Sequence, residues 1–206
     1  MSLPTGTFAT YAAIGNREDL SDTIYRIDPT DTPFSSMCER EKATAVKHEW
    51  QTQALAAVDT SNAKLEGDDA VTDAATPTVR LDNQCMISAK TARVTGTQQA
   101  VDHAGRDDEM AYQEMLKGME LKRDMEGIVV GTNQAKNAGA AATARVTASI
   151  ISWLKTNEST SGTAPTTADG AATRSDGTQR AFQESFLKTV LSSAWTNGGK
   201  PNTLMV

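Results

Sequence analysis

Glu18-Asp19-Leu20-Ser21-Asp22-Thr23-Ile24-Tyr25-Arg26-Ile27-Asp28-Pro29-Thr30-Asp31-Thr32-Pro33-Phe34 is the stretch on which the reading of this chain turns. Its acidic opening, residues 18–26, suits a turn or two of helix. The segment then runs into Asp28-Pro29-Thr30-Asp31-Thr32-Pro33, where two prolines break regular structure and hold the backbone extended. Ile24, Tyr25, Ile27 and Phe34 ride on this stiff segment with little core of their own to enter. It reads as an arm laid across another surface; a capped helix followed by an ordinary loop is the plain alternative. Residues 1–17 are small and polar, and are expected to be disordered or pinned only by assembly.

The composition favours the arm. A chain of 206 residues can form one large domain or two small ones. Only 38% of it is apolar and 5% aromatic, which is lean for one compact core. Ala, Thr, Gly and Asn take the remaining places, as in a chain with much extended surface whose stability depends on its own neighbours. The net charge is −6 and the pI about 5.0, with no Lys/Arg run longer than a pair. Sequence-specific nucleic-acid binding needs clustered cations, so only non-specific contact with such a polymer stays open. Cys38 and Cys85 match neither CxxC nor a zinc spacing, and are expected as free thiols in a reducing compartment. The first basic residue is Arg17, and no apolar run is long enough to cross a bilayer. A soluble cytoplasmic protein with neither signal peptide nor membrane contact is therefore expected.

Two segments alternate with a period of two. Val46, His48, Trp50 and Thr52 fall on one face, with Lys47, Glu49 and Gln51 on the other. Between Thr78 and Thr97, Val79, Leu81, Asn83, Cys85, Ile87 and Ala89 share a side. Asp59 to Pro77 is a polar stretch between them, so the pair predicts a long hairpin with a large tip. An isolated hairpin is marginal in water, and this one is expected to lie on another surface.

The clearest helix spans Arg106 to Val130, with Asp107, Asp108 and Glu109 in the first turn, where the macrodipole favours acids. Tyr112, Met115, Leu116, Met119 and Ile128 form a broken apolar stripe, opposite Glu114, Lys117, Lys122, Arg123 and Glu126. Gly118 and Gly127 cost about 1 kcal/mol each, so packing must hold this helix together. Thr132 to Thr178 reads as long loops, interrupted by Ile150-Ile151-Ser152-Trp153-Leu154, which has room for two turns of helix. A last helix is predicted from Thr178, a fair N-cap, to Asn197. Ala181, Phe182, Phe186, Val190 and Leu191 line one side of it, and Gly198, Gly199 and Pro201 stop it. Thr203-Leu204-Met205-Val206 reads as the start of a buried strand whose continuation is missing.

No constellation points to catalysis. His48 and His103 are the only histidines and share no ligand spacing; His48 in a strand reads as a packed side chain. Glu66, Asp68, Asp69 and Asp73 lack EF-hand spacing and read as a solubilising tip. Phosphate-binding glycine motifs and a GxSxG elbow are absent.

Taken together, the order of landmarks is recognisable. Arg17-Glu18-Asp19-Leu20-Ser21-Asp22 followed by Ile27-Asp28-Pro29-Thr30-Asp31-Thr32-Pro33-Phe34 resembles the N-terminal signature of a major-capsid-protein family of tailed bacteriophages. His48-Glu49-Trp50-Gln51-Thr52 with Leu55-Ala56 is similar to that family's next landmark, and Asn62-Ala63 with Glu66-Gly67 to its hairpin tip. The likeness runs to about Thr132 and loosens beyond it.

The resemblance implies an α+β fold of the HK97-like capsid type. Residues 1–42 would be an N-terminal arm and 43–102 an extended loop formed by the long hairpin. Residues 103–147 would be a peripheral domain with its spine helix. Residues 148–206 would begin an axial domain whose C-terminal part is missing.

The function implied is a major capsid protein that assembles in the host cytoplasm, through hexamers and pentamers, into an icosahedral virion head around phage DNA. Portal, scaffolding or decoration proteins would be its partners, and double-stranded DNA a non-specific one. No cofactor, metal, membrane or enzymatic activity is implied. The absence of a long helical N-terminal extension points to a separate scaffolding protein. Subunit contacts would fall on Ile27, Pro29, Pro33 and Phe34 of the arm. On the hairpin they would involve Val46, His48, Glu49, Trp50, Lys64, Glu66, Val79, Leu81 and Ile87, and on the spine helix Tyr112, Met115 and Met119. Some shells of this fold carry Lys–Asn crosslinks; Lys64 is the obvious donor here, although an ordinary solvated lysine is the better reading.

Three other readings stay open at this level. A bacterial compartment shell shares the fold, and a trimeric tail or adhesive module would also display a long hairpin. A thiol hydrolase would use Cys38 or Cys85 with His48 or His103.

Overall fold

The computed structural model describes residues 4–70 and 72–205. Its elements in chain order are α1 (Pro33–Met37), β1 (Lys47–Thr52), β2 (Val79–Gln84), α2 (Gly96–Ala100), α3 (Glu109–Val130) and α4 (Glu184–Thr196). They divide into two units. One comprises the residues up to Thr30 together with Lys90–Glu120; the other comprises Asp31–Ala89 with Leu121 onward. The dividing point falls inside α3.

In the first unit the described arm residues form turns but no helix. The helix expected at residues 18–26 is absent because Asp, Ser and Thr side chains compete for the backbone, and so short a segment cannot nucleate alone. Asp22 instead accepts a hydrogen bond from the backbone N–H of Gly105. Arg26 reaches α3, its guanidinium 3.1 Å from the Met119 sulfur and 3.8 Å from that of Met115. The short helix α2 is capped by Thr95, whose hydroxyl accepts the Gln98 N–H at 3.3 Å. α3 starts at Glu109 rather than Arg106, because the Asp108 carboxylate accepts the Ala111 N–H at 2.9 Å and acts as its cap.

The second unit carries the predicted hairpin. β1 and β2 pair antiparallel, with His48 opposite Asn83, Trp50 opposite Leu81 and Thr52 opposite Val79. The two alternating faces read from the sequence therefore coincide. Gln53 and Thr78 close the base of the loop through Thr76 and Gln51, at 2.8 and 2.9 Å. One further rung, Cys85 N–H to Val46 at 2.8 Å, follows β2 before regular pairing ends. Pro33 does not break structure: it opens α1 at the first helical position, where its missing N–H costs nothing.

Residues 132–178 correct the sequence reading most. They are irregular, as expected, yet the best-buried residues of this unit lie here: Ala148, Ser149, Ser152, Pro165 and Gly170. Antiparallel bridges at Asn137–Val146, Ala140–Thr143 and Thr163–Ser175 fold the segment back on itself. Small side chains allow this close approach of backbones. Gly170, at φ +71°, sits where a Cβ would lie 2.7 Å from the Trp153 ring and 2.9 Å from the Ala148 methyl. Ile150–Ser152 makes a single 3-10 turn instead of two helical turns.

α4 begins at Glu184, not Thr178. Arg180 holds the preceding backbone out of helix by donating to the Ser159 carbonyl at 2.6 Å while lying 3.9 Å from the Phe186 ring centroid. Leu204 and Met205, read as a buried strand, are unpaired and exposed, and Val206 lies outside the described residues.

Among the described residues the buried apolar ones are all small: Ala148, Pro165 and Gly170.

Candidate interaction surfaces

The hairpin is tied into its own unit along part of its length. Trp50 stacks at 5.2 Å on Trp153 and at 5.9 Å on His48. The Lys136 ammonium lies 5.7 Å from the Trp153 ring and donates at 3.0 Å to both the backbone and side-chain oxygens of Asp82. The Asn83 side chain accepts the Ala148 N–H at 2.9 Å, and Arg145 donates to the Cys85 carbonyl at 3.3 Å. Trp50 and Leu81 are thus half-buried within their own unit, whereas Val46, Val79 and Ile87 on the same predicted side stay exposed. On the opposite face Lys47 pairs with Glu49 at 2.8 Å and with Asp82 at 3.7 Å, and Arg80 reaches Glu49 at 3.7 Å. The hydrogen bond from Lys47 holds the Glu49 carboxyl below its ordinary range, and the same bond raises Lys47.

Two open surfaces adjoin this platform. The loop between the strands presents Leu55, Val58 and Leu65 almost fully to solvent, beside Lys64 and Glu66. A groove of about 440 Å³ runs between Glu41, His48, Asn83, Cys85 and Met86 and the α3 residues Met125, Ile128 and Val129. Cys85 and His48 share this groove, but the Cys85 thiol faces the Ala45 carbonyl at 3.5 Å and no hydrogen bond joins it to His48. Cys38 is exposed. Among the described residues no cluster of three or more His, Cys, Asp or Glu could hold a metal ion.

In the first unit, Ile27 and Pro29 are exposed, as are Phe8, Tyr11, Ile14, Leu20 and Tyr25. Tyr112 is half-buried beneath Arg106, whose guanidinium lies 5.4 Å from the ring centroid. Met115 and Met119 of α3 are partly occupied by Arg26 of the same chain. Glu109 is buried and receives Arg106, Gln113 at 2.8 Å and His103 at 3.8 Å. The Gln113 hydrogen bond, with help from Arg106 and His103, outweighs burial and keeps Glu109 ionised below the usual carboxylate range.

The remaining predicted arm residues, Pro33 and Phe34, lie in α1. Phe34 N–H donates to the Glu126 carboxylate at 2.7 Å and Ser35 N–H at 2.9 Å; the Ser35 hydroxyl donates to it as well. Sequence reasoning placed Glu126 on a solvated face and missed it, together with Asp82 and Lys136. Trp153 carried a signal, as part of the one apolar patch in a polar stretch. Glu126 carried none.

Comparison with known proteins follows the same lines. The sequence profile of the SU10 major capsid protein family matches residues 3–206. A protein of Escherichia phage Phieco32 named major capsid protein is 38% identical over 130 residues, which is 63% of this chain and 37% of that relative. The chain spans little more than a third of that relative's length.

Proposed function

This chain belongs to the SU10 major capsid protein family, and from that we propose that it is a repeating subunit of a phage head. The observation that carries the reading is the imbalance between apolar content and burial. Ile14, Leu55, Val58 and Ile27 are each more than nine-tenths exposed, whereas the apolar residues buried among those described are small ones, Ala148, Pro165 and Gly170. Apolar groups left in water at this density call for partners. The arm, the strands and the loop between them each carry such groups, and a lattice with several neighbouring copies would cover them.

In this reading the fold is of the HK97-like type, with residues 1–42 as arm, 43–102 as extended loop, 103–147 carrying the spine helix and 148–206 entering the axial domain. Hexamers and pentamers close the shell. Ile27, Pro29, Val46, Lys64, Glu66, Val79 and Ile87 meet neighbours, and Trp50 and Leu81 brace the hairpin from within. The acidic chain encloses double-stranded DNA without gripping it, in a virion assembled in the host cytoplasm with portal and scaffolding proteins. The wall has no catalytic task.

Electron microscopy of the whole protein from its native source tests this. Closed icosahedral particles built mainly of this polypeptide are expected. Monomers or small discrete oligomers would overturn it.

A further inference from the structure

α1 has five residues, far too few to persist alone in water. Its own N-cap, Thr32, makes no side-chain capping bond. Pro33 at the first position has no N–H to satisfy. The first free donors are therefore the amides of Phe34 and Ser35, and both go to Glu126, a residue 92 and 91 positions away on α3. The Ser35 hydroxyl adds a third donor to the same carboxylate. Among the described residues no lysine, arginine or histidine pairs with Glu126, so neutral donors alone hold its charge. Those bonds outlast the burial that opposes ionisation and keep the carboxyl below its ordinary range.

We infer that Glu126 is a positioning residue for assembly: it caps α1 from outside and pins the junction between arm and hairpin to the subunit's own α3. The inference rests on the shell reading above and adds to it a fixed point within each copy. Residues 31–46 join two segments whose exposed apolar groups await neighbours. If their common root is loose, each copy offers those segments in a different geometry, and one curvature cannot be repeated around a closed shell. A carboxylate suits the task because its two oxygens take both amides and the hydroxyl at once; an amide side chain offers one acceptor oxygen.

The test separates capping from positioning with two variants of the whole protein. Glu126→Ala leaves α3 a good helix former. It is expected to speed amide exchange at Phe34 and Ser35 at least tenfold in unassembled subunits and to give particles of mixed size. The double variant Thr32→Asn with Glu126→Ala supplies a local cap but no tie to α3. It is expected to recover most of the exchange protection while the particles stay mixed. Glu126→Gln, which keeps one acceptor, should fall between wild type and Glu126→Ala in both readouts. Uniform wild-type particles from Glu126→Ala would overturn the proposal, and so would full restoration of particle size by the local cap. Failure of the wild type to form shells would instead remove the shell reading, while the exchange data still report on the tie.

Discussion

At the scale of single residues, stability in the second unit depends on what is absent from a side chain. Gly170 combines a left-handed backbone with a position that has no room for a methyl against Trp153 and Ala148. Gly170→Ala is expected to destabilise the unassembled subunit by about 2 kcal/mol through strain and overpacking. Denaturant unfolding measures it, and an unchanged midpoint would show that this contact is not tight. Trp153 meets Trp50 through the same small region. A double-mutant cycle of Trp50→Ala and Trp153→Ala should give a coupling of about 0.5–1.5 kcal/mol. Strictly additive losses would mean that the rings are neighbours without being partners.

At the scale of elements, the hairpin carries an acid-sensitive contact. Glu49 is depressed by its bond to Lys47, so its contribution is fully present above the unfolded carboxylate value, roughly 4.3, and is lost as pH falls through the lower folded value. Trp50 emission should therefore show an acid transition, and Glu49→Gln should flatten it. An identical transition in that variant would assign it elsewhere. The hairpin and α3 were legible in the sequence because their periods, two and near 3.6, are written in large side chains. α1 was not, since two prolines read as a break and the second one opens a helix. Residues 132–178 were not either: Ala, Gly, Ser and Thr carry no periodicity, and their core is built by backbones coming close. The expected start of α4 failed at Arg180, whose stacking on Phe186 is a tertiary contact that no propensity encodes. The tie from Glu126 to Phe34 and Ser35 was invisible for the same reason.

At the scale of the whole molecule, the lean composition pointed to much extended surface, and the arm and loop carry exposed apolar side chains. The contact residues divide in a way the alternation did not reveal. Trp50, Leu81, Phe34, Tyr112 and Met119 are half-buried in their own units, whereas Ile27, Val46, Val79 and Ile87 remain open. A period-two pattern says which side chains share a face, but not whether a later segment of the same chain or a second copy will cover it. For the arm and the loop, the proposed shell requires the second outcome. Hydrogen exchange across residues 4–31 and 53–78, compared between dissociated subunits of the whole protein and its assembled particles, tests this most directly. Strong protection of both segments on assembly is expected, with residues 148–153 protected in either state. Equal, fast exchange of the arm and loop in both states would contradict it.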